Sequence, residues 1–389
     1  MTLTRADLVT PPSSAGRWLR LTLVAAVTGA LSLTLVACGS SKPKPAALES
    51  FRPALQTSLA WTQRFDDMKG PMMLAVQGGV VTLATTDGDI VALDVKSGAP
   101  RWRADAGTRL TAAVGGDGRY ASVVTDGNEL LAFDQGKLLW RERLPGRVIT
   151  PPLVAGERVF VQAIDRSVRA YDVLDGRWLW QYQRPGGEPL ALATPGVISA
   201  FRDTLLVGQG ARLVGLDPTK GGVRFDLNLA TPRGSNEVER LADLVGPIAR
   251  ADDEVCARAF QLAVGCMELN RGSVRWTKPQ SGTQAVAAND SIVIGADSTD
   301  RLTAWKTENG DVVWRADRFT YRELSAPAIW DRYVALADGD GYLHLLALED
   351  GRTVGRFELD AALAAPPLVS DGLLLLATRK GTVYALRHP

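Results

Sequence analysis

The chain has 389 residues, 46% of them apolar and 22% charged, with a formal charge of +1; this is a globular balance that excludes disorder, collagen and coiled coil for most of its length. Without residues 1–37 the body carries 41 basic and 42 acidic side chains, so it offers no basic stripe for nucleic acid. With only 2 His and 3 Cys, against 38 Gly, a His/Cys metal site or a His-centred catalytic group is not expected.

At the N-terminus, Arg17 and Arg20 precede an apolar run from Leu21 to Ala37. A basic flank and a run of this length form a secretory leader or a short membrane span. The end of the run favours the leader. Leu35-Val36-Ala37-Cys38, followed by Gly39-Ser40-Ser41, has the form of a bacterial lipobox. Small residues there admit a peptidase, and the Cys38 thiol accepts a diacylglyceryl group; a signal anchor with a chance cysteine is the alternative. Several acyl chains, at about 0.8 kcal/mol per buried CH₂, make a stable anchor. Gly39, rather than Asp, beside the cysteine fits sorting to the outer membrane. The expected layout is a leader over 1–37, a lipidated and flexible tether over 38–58, rich in Lys and Pro, and a folded body over 59–389.

The body repeats. Residues 87–102 read DGDIVALDVKSGAPRW, 126–140 DGNELLAFDQGKLLW, and 165–180 DRSVRAYDVLDGRWLW. Residues 297–314 and 338–351 follow the same plan. Each unit has a turn, an alternating strand, a turn aspartate (Asp94, Asp134, Asp172, Asp217), then Gly and an aromatic four residues on. The pairs are Gly98/Trp102, Gly136/Trp140, Gly176/Trp180, Gly221/Phe225, Gly272/Trp276 and Gly310/Trp314; after Gly351 the aromatic position is taken by Gly355. The glycine supplies a left-handed turn position, and the aromatic opens the next strand and covers the seam to the neighbouring unit. Apolar residues on both faces, as in Ile90 and Ala92 against Val91 and Leu93, fit a sheet stacked between two others. Four short strands repeated radially predict an all-β fold, a β-propeller of antiparallel blades. A linear solenoid would not need matching ends, and here they match. The last unit stops one strand short at Pro389, while Leu59–Phe65 at the other end is an orphan strand. The aromatic positions are 61, 102, 140, 180, 225, 276, 314 and 355, with a virtual one at 395; the intervals are 41, 38, 40, 45, 51, 38, 41 and 40. Eight intervals predict eight blades, closed by the N-terminal strand. Trp178, Trp305 and Trp330, outside the pattern, are expected in the core.

Only two intervals are long, and they are consecutive. The additions fall at 184–194 and 230–243, both connections from an outer strand to the next inner strand, hence on one face. Leu190 and Leu192 offer apolar anchors, and Glu239, Arg240 and Asp243 offer charge, an apolar centre with a polar rim suited to a protein partner. The bland alternative is two drifted loops with the leucines packed inward. Cys256 and Cys266 flank a hairpin centred on Gln261, which places them opposite one another on paired strands of an exported protein; a disulfide is expected, two buried thiols being the alternative.

The repeats resemble those of the pyrroloquinoline-quinone dehydrogenases, but the adjacent cysteine pair typical of those enzymes is missing. No phosphate loop, Ser/His/Asp set or metal-ligand spacing occurs, and His344 lies in an alternating strand, so no catalytic residue, metal or cofactor is expected. The combination of lipobox, tether, eight blades and two enlarged neighbouring loops resembles the BamB family of outer-membrane protein assembly factors. The residues carrying it are Glu237-Val238-Glu239-Arg240-Leu241-Ala242-Asp243, Asp340-Gly341-Tyr342-Leu343-His344 and Lys380-Gly381-Thr382-Val383-Tyr384. The resemblance implies a non-enzymatic lipoprotein on the periplasmic face of the outer membrane. Its partners would be the POTRA domains of BamA, other Bam subunits and, less directly, unfolded outer-membrane proteins; nucleic acid is not among them. It also implies that Leu190, Leu192, Arg240 and Asp243 contact BamA. Ala193, where the family can carry Arg, and Val245, where it can carry an acid, depart from that pattern. The competing functions are a quinone-dependent dehydrogenase and a glycan-binding surface lipoprotein.

Overall fold

Eight four-stranded sheets make up the body. The structure, a computed structural model, describes residues 43–66, 68, 73–186 and 191–387; the leader, Cys38 and Leu190 lie outside the described residues. Every regular element described is a β-strand. Blades one to seven each use four consecutive antiparallel strands, in the ranges 75–105, 110–143, 153–182, 198–228, 244–279, 287–316 and 328–358. Blade eight takes three strands from residues 368–387, and its outer strand is Ser58–Arg64. That strand runs antiparallel to Thr382–Arg387, with Trp61 opposite Ala385 and Arg64 opposite Thr382. The two ends of the chain therefore close the ring, as the unmatched strands at the termini require.

The core is distributed between blades. Eight main apolar clusters coincide with the eight seams. Strand alternation feeds them: Val91 and Leu93 of blade one enter the seam to blade eight, while Ile90 enters the seam to blade two.

The Gly-aromatic spacing has a physical basis across the seams. In five blades the tryptophan lies over the turn glycine of the next blade and donates its indole N–H to a carbonyl there. Trp140 donates to Val173 at 2.8 Å, and a Cβ on Gly176 would lie 2.7 Å from its ring. Trp61, Trp180, Trp276 and Trp314 repeat the bond to Val95, Pro218, Thr307 and Leu348. The turn glycine is thus needed twice, for its left-handed φ and for the ring that covers it. Trp102 departs, because the turn Asp134-Gln135-Gly136 that it faces is short; its buried Nε1 has no partner. Phe225 departs as well, lying over Gly215 of its own blade and leaving Gly272 uncovered.

Of the three remaining tryptophans, Trp305 and Trp330 are buried, and Trp330 donates to the Gly372 carbonyl at 2.9 Å. Trp178 is 57% exposed at the start of an outer strand, contrary to the expectation of a core position. Cys256 and Cys266 are directly opposed on paired strands of blade five and are joined as a buried disulfide with a Cα separation of 4.1 Å.

The flexible tether expected over 38–58 ends earlier than its composition suggests. Ala46 donates to the Thr320 carbonyl at 2.9 Å, Ala54 and Leu55 donate to the Val354 carbonyl, and Leu55 is buried between blades seven and eight. Residues 46–55 are a strap on the ring, because their polar groups and one leucine find fixed partners there.

Candidate partner-docking face

Both long connections emerge on one face. They run from the end of blade three (Trp178–Tyr182) to the start of blade four (Ile198–Phe201), and from blade four (Val223–Asn228) to blade five (Leu244–Ala251). The structure brings them into contact through Asp243. Its Oδ2 accepts the Leu192 amide at 2.9 Å, and its Oδ1 accepts two N–H groups of Arg166, from a hairpin of blade three, at 2.8 Å. Both side chains are largely buried. Arg166 holds a left-handed φ of 62°, and its carbonyl accepts from Gln209 of blade four. Blade three and both loops thereby meet on one carboxylate, and Gln209 ties blade four to the same arginine. Asp243, expected as a contact on the polar rim, braces the two loops from within and so shapes the face.

The second loop is held open from within. A short turn over 235–240 is capped reciprocally: the Ser235 amide and hydroxyl donate to Glu239 Oε2 at 2.7 and 3.0 Å, and the Glu239 amide donates to Asn236 Oδ1 at 2.9 Å. The Ser235 amide and hydroxyl hold the Glu239 carboxyl below its usual range. Val238 tops this turn, 67% exposed. Arg240 and Leu192 are half-buried, and Ala193 is exposed. The first loop is fixed at its base by Arg184, 2.9 Å from Asp226 of blade four. Val245 is buried in the first strand of blade five, packed with Ala285 and Ala326. Its departure from the family pattern therefore falls in the wall of the ring, away from the loop tips.

At the same end of the ring axis lies a cavity of about 940 Å³, lined by Pro195 and Val245 at the feet of the two loops and by Asp300, Glu323, Asp338 and Arg379 across it. Burial pushes the Asp300 carboxyl up, against the Leu324 and Glu323 amides that donate to it. Among the described residues no group of three or more His, Cys, Asp or Glu is placed to hold a metal ion. His344 is buried, with Nε2 2.8 Å from Asp338 and Nδ1 unpartnered.

Comparison with known proteins agrees with this architecture. The sequence profile described as outer membrane protein assembly factor BamB matches residues 86–316. The chain belongs to the BamB family of outer membrane protein assembly factors. It is 33% identical over 365 residues to the BamB of Burkholderia pseudomallei, covering 91% of this chain and 95% of that one. The crystal structure of BamB from Moraxella catarrhalis superposes with a TM-score of 0.77 at 21% identity, over 85% of this chain and all of that one. The quinohemoprotein alcohol dehydrogenase of Comamonas testosteroni shares the fold alone, with a TM-score of 0.64 at 13% identity over 85% of this chain and 76% of its own. The BamB family and the quinoproteins thus share a ring. The paired loops of this chain were legible as insertions; the bracing role of Asp243 and the exposure of Val238 were not, since both depend on contacts between blades distant in sequence.

Proposed function

We propose that this BamB-family chain is a non-catalytic scaffold of the machinery that folds and inserts β-barrel proteins into the outer membrane. It is anchored by lipid at Cys38 on the periplasmic side and binds the POTRA region of BamA through the two braced loops. The observation that carries this reading is the Asp243 brace, which fixes two insertions from adjacent blades as one surface with an exposed apolar tip at Val238. A surface shaped before binding loses less conformational freedom on association. The lipid confines the ring to the membrane and raises the effective concentration of the contact. Leu190, Leu192, Glu239 and Arg240 belong to the same surface, Leu190 by sequence position.

The test is capture of the mature chain by purified BamA POTRA domains. Val238→Asp and Arg240→Glu are expected each to weaken binding roughly tenfold, about 1.4 kcal/mol, without changing the melting temperature. Undiminished binding by a chain carrying both changes together with Leu190→Ala and Leu192→Ala would refute this use of the face.

A further inference from the structure

The N-terminal strap takes no part in the docking face, yet it crosses the whole thickness of the ring. At one end Ala46 meets the connection between blades six and seven: its amide donates to Thr320, and its carbonyl accepts from Arg322 Nη1 at 2.8 Å. That connection is of the same outer-to-inner kind as the two long loops and lies on the same face. Arg322 is itself buried and fixed by Asp338 and Asp340 at 2.7 and 2.8 Å. Midway, Glu49 pairs with Arg318 at 3.0 Å and accepts from the Thr353 hydroxyl, while Phe51 lies under the Arg356 guanidinium at 5.0 Å. At the other end Ala54 and Leu55 bond Val354, just after the turn on the opposite face. Leu55 then packs with Trp330, Leu345 and Leu386 in the seam beside Gly355, the blade position that lacks an aromatic. Residues from Pro45 onward belong to the same compact unit as the ring.

We propose that the strap sets the orientation of the ring on its anchor. It makes the chain leave the body at the loop-bearing face, beside blades six and seven, so that this face is held toward the bilayer and the opposite face, with Leu174 and Trp178, points away. The proposal rests on the reading of Cys38 as the anchored residue. Pro45 lies seven residue steps beyond Cys38, a reach of about 25 Å at ~3.5 Å per residue. A tether free as far as Ser58 would reach roughly 70 Å and would let either face turn to the membrane. A blade strand of six residues spans about 20 Å, so the short leash barely exceeds the thickness of the ring, whereas the longer tether would exceed it more than threefold.

The experiment is energy transfer to an acceptor lipid in phosphatidylethanolamine–phosphatidylglycerol vesicles carrying the processed chain. A single dye is placed on Val238→Cys or Leu174→Cys; Cys256 and Cys266 are joined, and an acylated N-terminus leaves the introduced thiol as the labelling site. Transfer is expected to be higher from position 238 than from 174. That difference should be lost when Glu49→Ala, Phe51→Ala and Leu55→Ala together release the strap, with Glu49→Ala alone as a milder variant should the triple change unfold the ring. Equal transfer in the unaltered strap, or higher transfer from 174, overturns the proposal. A mature chain with six histidines in place of residues 38–41, held on nickel-chelating lipid, separates the two readings. If Cys38 carries no lipid, the native chain fails to float with vesicles, while the histidine-held chain still reports which face looks at the membrane.

Discussion

Each turn glycine of the ring answers to two different constraints, and they can be measured apart. Gly272 has a φ of 61° with open space where a Cβ would go, whereas Gly176 has a φ of 75° and the Trp140 ring 2.7 Å from that point. Gly272→Ala is expected to cost about 1–2 kcal/mol, the left-handed backbone alone. Gly176→Ala adds overpacking of a seam and should cost roughly 3 kcal/mol in total. Denaturant unfolding of the two variants checks the difference, and equal losses would show that the ring contact contributes nothing. The turn aspartates set a second residue-scale property. The Asp94 carboxyl is brought down to about 2, first by its bond from Arg101 and then by the Ser97 hydroxyl and amide. Asp134, held by Arg119, and Asp217, held by the Thr219 hydroxyl and amide and by Arg224, also lie below the usual range. Their native forms bind protons less readily than the unfolded chain. The stability they add is therefore complete above pH ~4 and is lost as pH falls toward 2. Melting temperature should be flat from pH 7 to 5 and drop below 4, and Asp94→Asn should reduce the slope of that drop.

At the scale of elements, the strap and the disulfide are additions to a repeat that neither one builds. Leu55→Ala removes a buried side chain from the seam of blades seven and eight and should cost about 2–4 kcal/mol. Arg322→Ala takes from the buried Asp338 its guanidinium partner, leaving it His344 and two amides, and releases Ala46, with an expected loss of about 3 kcal/mol. The disulfide closes a small loop, so replacing both cysteines by alanine should cost at most about 3 kcal/mol. These elements differ in how far the sequence announced them. The cysteine pair was legible because symmetry about Gln261 implies cross-strand register. The strap was not, because Pro and Lys in 42–45 read as linker and its partners, from Thr320 to Arg356, lie hundreds of residues away. One signal was present: Gly355 leaves an aromatic position empty, and a ring cannot leave a seam unfilled, so some other apolar residue had to occupy it. The same reasoning explains Asp243. A carboxylate in a charged loop reads as surface until the buried Arg166 of another blade is placed beside it. Trp178 failed in the opposite direction, since the repeat assigns one aromatic to each seam and Trp180 had already taken that place.

For the whole molecule, closure is the decisive contact, because the three C-terminal strands of blade eight are tied to blade one only by pairing with Ser58–Arg64. Ser58–Arg64 supplies the outer strand of blade eight, and Trp61 reaches across it to Gly98 and to the Val95 carbonyl of blade one at 2.8 Å. Removing residues 45–66 would expose the edge of Thr382–Arg387 and leave the seam of blades eight and one without its tryptophan, while the other blades keep all four strands. An unprotected edge of this kind pairs with other chains. The truncated chain should therefore associate at concentrations where the full chain stays monomeric, and its unfolding should lose its single sharp transition. A synthetic peptide of residues 45–66 added in trans should restore both, because it supplies the missing strand, the tryptophan and the strap together, by the same backbone pairing that adds a strand to any open sheet edge. The same peptide carrying Trp61→Ala and Leu55→Ala keeps the pairing groups but loses both seam fillers, and should rescue poorly. Sedimentation and thermal unfolding distinguish the cases. Equal rescue by the two peptides would mean that edge pairing closes the ring without help from the seams, contrary to the stacking of Trp61 on Gly98.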